Sequence, residues 1–114
     1  PAYTVFMDPP LGRVGLTEQA ARDKNLDIKV AVLPAAAIPR ARLMGETTGM
    51  LKAVVDAKTG TILGCALHCA DAGEMINVVE TAIRAGKDYT FLRDMIYTHP
   101  SMTEALNDLL SKIK

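Results

Sequence analysis

An α+β domain, with helices packed on a largely antiparallel sheet, is the fold class that the patterning of this chain predicts. Two β-rich runs, Leu51 to Asp56 and Thr61 to Cys69, are separated only by Ala57-Lys58-Thr59-Gly60, a hairpin connection in which Gly60 can take the left-handed turn position. Two amphipathic helical runs then follow one another towards the C-terminus. Strands and helices therefore do not alternate strictly, which argues against a parallel sheet of βαβ units. The composition agrees: 114 residues, 49% hydrophobic and 23% charged, suit one globular domain with a single sizeable core.

The elements can be justified in order. Tyr3, Val5 and Met7 alternate with Ala2, Thr4 and Phe6 as a short strand that Asp8-Pro9-Pro10 ends. Gly12 and Gly15 bracket an expected turn. Thr17 can cap a short helix from Glu18 to Lys24, whose acidic start suits the helix dipole, with Asn25 as its stop. Ile28, Val30 and Val32 alternate with Asp27, Lys29, Ala31 and Leu33 as a second strand, and Pro34 to Gly49 reads as a long loop. After the hairpin, Asp71-Ala72-Gly73-Glu74 has capping-box spacing, and Met75, Ile76, Val79, Ala82 and Ile83 recur at helical intervals until Gly86. Thr90 to Met95 reads as a short turn. Ser101-Met102-Thr103-Glu104 repeats the capping-box pattern, and Ala105, Leu106, Leu109, Leu110 and Ile113 mark the last amphipathic helix.

Charge and hydropathy narrow the functional classes. With 13 Lys+Arg against 13 Asp+Glu the chain has no net charge, so neither nucleic acid nor an anionic membrane surface is an expected partner. No apolar run approaches the roughly 20 residues that a membrane-spanning helix needs. Pro1-Ala2-Tyr3-Thr4-Val5-Phe6 enters strand-like sequence at once, without initiator Met, basic n-region or apolar h-region, so a piece of a longer, cytoplasmic chain is expected.

Three groups of residues could carry chemistry. Cys65 and Cys69 flank His68, which raises a metal site or a disulfide. On a strand, positions four apart share a face but lie roughly 13 Å apart at about 3.3 Å per residue, too far for a disulfide. His68 would point to the other face. Two small buried hydrophobes and a satisfied histidine are therefore expected, and no metal; only a helical segment would bring the cysteines within chelating reach. Gly12-Arg13-Val14-Gly15 and Gly60 to Gly64 match neither the dinucleotide fingerprint nor the phosphate-binding loop, so no nucleotide cofactor is expected on this chain. No Ser-His-acid order with a nucleophile elbow occurs. The third group, His99-Pro100-Ser101-Met102-Thr103-Glu104, puts a histidine at the mouth of a helix and a carboxylate one turn inside it. Such a carboxylate can fix the imidazole tautomer and leave the other nitrogen to exchange protons. The spacing alone favours Glu104 folding back on the Ser101 amide as a capping box, a purely structural role.

Val5-Phe6 through Pro9, Val14-Gly15-Leu16-Thr17-Glu18, Gly49-Met50-Leu51-Lys52 through Ile62-Leu63-Gly64, Ala72, Glu74 and Ile76, then His99-Pro100 with Glu104 occur in an order that spans essentially the whole chain. In that order they resemble the C-terminal dimerisation domain of the class I pyridine nucleotide-disulfide oxidoreductases, the family of glutathione reductase, dihydrolipoamide dehydrogenase and mercuric reductase. Asp8-Pro9-Pro10-Leu11-Gly12-Arg13-Val14-Gly15 looks most like the mercuric reductase-like branch, although the paired cysteines expected near the C-terminus of a mercuric reductase proper are not among Ser111-Lys112-Ile113-Lys114.

The resemblance implies FAD- and NAD(P)-binding domains N-terminal to this one, with the redox cysteine pair on the flavin domain, so that Cys65 and Cys69 are not that pair. It implies FAD and NAD(P)H as cofactors of the intact enzyme, none bound by this chain, and a homodimer as the assembly. It also implies His99 as the acid/base reaching the partner subunit's flavin and thiols, Glu104 as its orienting partner, a cis peptide between His99 and Pro100, and Pro100 near the partner's flavin. The competing expectation is a stand-alone α+β association module whose His-Glu pair only caps a helix.

Overall fold

A computed structural model describes all 114 residues. Its five strands are β1 (Tyr3–Val5), β2 (Leu11–Gly15), β3 (Ile28–Pro34), β4 (Met50–Asp56) and β5 (Ile62–His68). They form one sheet in the order β1-β2-β5-β4-β3, antiparallel throughout. The helices are α1 (Glu18–Asp23), α2 (Pro39–Met44), α3 (Ala72–Arg84), α4 (Tyr89–Asp94) and α5 (Ala105–Leu110). The α+β architecture expected from the sequence is borne out.

The β4–β5 hairpin is the centre of the sheet. Asp56 begins its turn, accepting from the Lys58 and Thr59 amides at 2.8 Å each, and Gly60 supplies the left-handed residue with φ 77°. Because side chains alternate across a pleated sheet, the register puts Leu33, Leu51 and Leu67 with Gly12, and Ala31, Ala53 and Cys65 with Val14, on one face. That face is the core side. α3 covers β2 and β5 while α5 covers β3 and β4, burying Met75, Ile76, Val79, Leu106, Leu109 and Leu110. The opposite face carries Arg13, Ala66, Lys52 and Val32 in one row and is largely open.

The structure corrects several local expectations. Gly12 is not in a turn but inside β2, paired with Leu67; a Cβ there would lie 2.7 Å from the Ala72 carbonyl oxygen. Glycine at that position permits the start of α3 to approach the sheet, a use of glycine that mimics a turn signal in sequence. The Pro34–Gly49 stretch is not a plain loop. It holds a 3₁₀ turn, Ala35–Ala37, and then α2, which starts on Pro39 and stops at Gly45 with φ 72°. Ala35, Ile38 and Ala41 are its buried contacts, too few for a readable helical period.

Thr90 to Met95 is mostly helix: Asp88 caps α4 by accepting from the Thr90 amide at 2.9 Å, and Leu92 is its one buried anchor. At α3 the capping box does not form, because Asp71 takes the left-handed conformation (φ 61°) instead of the extended geometry of a side-chain cap. Other end signals work as the sequence predicts. Thr17 Oγ1 accepts from the Ala20 amide at 2.9 Å. Beyond α3, Gly86 and Lys87 donate back to Ile83 and Ala82, each at 3.0 Å, the double bond of a Schellman stop.

Candidate functional site

The entrance to α5 must satisfy amides that have no intrahelical partner. Ser101 Oγ meets part of this need by accepting from the Glu104 amide at 3.2 Å. The reciprocal half of the capping box is missing, because the Glu104 carboxylate turns outward to His99. Nδ1 of His99 lies 2.8 Å from Oε1 and 2.9 Å from Oε2. An ionised carboxylate only accepts hydrogen bonds, so Nδ1 carries a proton, and in the neutral ring the lone pair is on Nε2. The imidazole is 66% exposed, whereas Glu104 is 26% exposed. The carboxylate is thus the sheltered, orienting member and the ring the accessible one. The peptide between His99 and Pro100 is cis.

His99 does not sit on a helix or strand; it rides on the irregular segment between α4 and α5. Two side chains with no motif signal tie the base of that segment down. Tyr97 donates its hydroxyl to the Leu92 carbonyl at 2.9 Å, and burial pushes its phenol up to about 12, so it remains a donor. Asn107, on α5, donates from Nδ2 to the carbonyls of Arg93 and Met95 at 2.8 Å each. The one sequence cue for Asn107 was an amide inside a helix, where asparagine is a poor former and usually serves a local hydrogen bond.

The cysteine group has a different character. Cys65 and Cys69 are free and buried. Cys69 Sγ lies 3.8 Å from the Met75 sulfur inside the core. Burial pushes both thiols up to about 12, which disfavours the thiolate that nucleophilic chemistry needs. His68 differs from expectation. Its Nε2 is buried without a hydrogen-bond partner, because its neighbours in register, Leu11 and Met50, have apolar side chains. No three of the chain's His, Cys, Asp and Glu residues gather within metal-binding reach.

A charged cluster that sequence reasoning did not single out lies on the open face of the sheet. Lys52 Nζ is 2.5 Å from Glu18 Oε1 and Arg22 Nη2 is 2.7 Å from Oε2, which together hold the Glu18 carboxyl below its ordinary value, Lys52 foremost. It ties α1 to β4. Gly12 and Gly64 each sit against backbone. A Cβ on Gly12 would meet the Ala72 oxygen, and one on Gly64 would meet the Leu16 oxygen at 1.7 Å, so both are filled by backbone.

Comparison with known proteins places this geometry. Residues 1–110 match the family model described as the dimerisation domain of pyridine nucleotide-disulphide oxidoreductases. RclA of Escherichia coli strain K12 is 58% identical over 112 residues, which cover 98% of this chain and 25% of RclA. A mercuric reductase of Bacillus cereus is 40% identical over 101 residues, 89% of this chain and 16% of that protein. The solved structure of the HOCl-induced flavoprotein disulfide reductase RclA from E. coli superimposes on the whole chain with a TM-score of 0.97 at 57% identity, using 26% of that structure. The chain therefore spans about a quarter of the RclA length that it matches. No helix is long and apolar enough to cross a membrane. With its five-stranded antiparallel sheet, α3 and α5 packed on one face and the match along residues 1–110, the chain belongs to the pyridine nucleotide-disulphide oxidoreductase dimerisation domain family.

Proposed function

We propose that this chain is the portion of a flavin-dependent pyridine nucleotide-disulfide oxidoreductase that pairs two identical subunits, and that it lends His99, backed by Glu104, to the thiol-disulfide site of the partner. The observation that carries the reading is an accessible imidazole whose Nδ1–H is held by both oxygens of one carboxylate. In that arrangement Nε2 takes the proton of a thiol as its thiolate attacks a disulfide. Glu104 stabilises the imidazolium so formed, and Nε2 then returns the proton to the departing thiolate. FAD and NAD(P)H belong to domains outside these 114 residues. They would supply the electrons that regenerate the dithiol, and no step on this chain's residues passes through them. A cytoplasmic setting completes the reading.

Transfer across a subunit boundary is supported by the surface beside the dyad. Ile96, three residues before His99, is 96% exposed, and Phe91 and Met95 are also exposed. Exposed apolar side chains so close in sequence to His99 are what a partner subunit would cover. Covering them would bring His99 against the second subunit.

The test is His99→Ala in the intact enzyme. Thiol-disulfide turnover should fall on the order of 10² to 10⁴-fold, the usual worth of a positioned acid/base, with the dimer unchanged because an exposed imidazole leaves no cavity. Unchanged turnover would refute the catalytic role and leave the pair as a helix-capping feature of an association module.

A further inference from the structure

We infer that Asn107 is a positioning residue for the acid/base pair: its carboxamide clamps the base of the segment bearing His99 to the helix that begins at Glu104, and so sets the distance between the two. The inference rests on the acid/base reading of His99 and Glu104. The segment between α4 and α5 has no secondary structure, and His99 near its far end is mostly solvent-exposed. An exposed His-carboxylate contact is too weak to hold such a segment in one place by itself. Something else must limit where His99 can go.

Asn107 is placed to do this. It lies three residues after Glu104, one turn further along, so both side chains project from neighbouring positions of α5. Its Nδ2 donates to Arg93 O and Met95 O, both at 2.8 Å, at the C-terminal end of α4, where carbonyls lack intrahelical partners. Two acceptors converge on one group, so the amide nitrogen must face them, and a carboxylate or an aliphatic side chain cannot replace it. α5 therefore contacts both ends of the segment. Asn107 holds where it leaves α4, and Glu104 holds His99 near where it returns. A fixed helical spacing between the two holding groups becomes a fixed reach for the imidazole.

The test reads the tautomer of His99, which a purely structural residue has no reason to change. The chain holds two histidines, so ring ¹⁵N signals of the labelled protein are assigned by comparison with His99→Ala. Spectra taken at about pH 9, where imidazole is ordinarily neutral, report which nitrogen carries the proton. In the wild type the Nδ1–H form should dominate. Asn107→Ala and Asn107→Asp should each lower the ratio of Nδ1–H to Nε2–H several-fold while the amide signals of β4 and β5 stay in place; the aspartate keeps the size should the alanine loosen the fold. Ser111→Ala removes only a hydroxyl bonded to the Asn107 carbonyl and should leave the ratio unchanged. In the intact enzyme, Asn107→Ala should lower kcat roughly tenfold without raising KM for the nicotinamide nucleotide, as expected of a displaced catalytic group. Wild-type ratios in both Asn107 variants, or an equal loss in Ser111→Ala, would overturn the positioning role. An Nε2–H wild type would instead overturn the pairing of His99 with Glu104, and the tether with it.

Discussion

Glu104 and the two cysteines show how environment decides what a reactive residue type does. At Glu104 the same spacing allowed a carboxylate folded back on the Ser101 amide or one turned towards His99, and the outcome turned on which donor the carboxylate met: His99 Nδ1 at 2.8 Å, with Ser101 left to cap alone. At Cys65 and Cys69 burial removes the thiolate. Both thiols should resist an aromatic disulfide reagent in the native chain at pH 8 and react in full once denatured, as titration of released chromophore will show; rapid native labelling would mean that the core opens. Asp56 is the clearest case of a pH-linked residue. The Thr59 amide first, then that of Lys58, holds its carboxyl below the ordinary 3.8. With the folded value lower than the unfolded one, its contribution is complete above 3.8 and is lost as pH falls through the depressed value. Asp56→Ala should therefore melt below the wild type at neutral pH, and the gap should close in strong acid. A gap that persists at about pH 2 would assign the effect to packing and not to the ionised carboxylate.

Among the elements, β2 and the short helices differ most from what their residues suggest, for a common reason. β2 is held between the nearby β1 and β5, whose paired residues lie 49 to 57 positions away, and Gly12 serves its contact with α3. Gly12→Ala would push a methyl against the Ala72 carbonyl and within 3.1 Å of the Ile76 Cβ. The expected loss is about 1–3 kcal/mol in urea unfolding, the usual cost of overpacking. A loss below about 0.5 kcal/mol, within the range of ordinary surface changes, would mean that α3 shifts freely. α2 and α4 each have six residues and are held by one or a few buried side chains. Helices so short are made by packing more than by propensity, and periodicity cannot reveal them. α3, with thirteen residues, was legible from its apolar spacing and Gly86, apart from its start, where the expected capping box does not form.

For the molecule as a whole, the open face of the sheet and the apolar surface beside His99 set the expected assembly. Sedimentation should give one species of twice 12.2 kDa at tens of micromolar, with an interface on the order of 2,000 Å² if the dimer is obligate. A clean monomer would overturn pairing through this chain. The sequence by itself determined the α+β class, the β4–β5 hairpin, the Thr17 cap and the end of α3. Each rests on side-chain period or dihedral preference within a few neighbouring residues. The tertiary structure decided that Gly12 lies in a strand, that Pro34 to Gly49 contains a helix, that His68 Nε2 has no partner, and that Asn107 holds the segment carrying His99. Those outcomes depend on which backbone or side-chain group arrives from a distant part of the chain to meet a free donor or fill a gap, and no local pattern records that arrival.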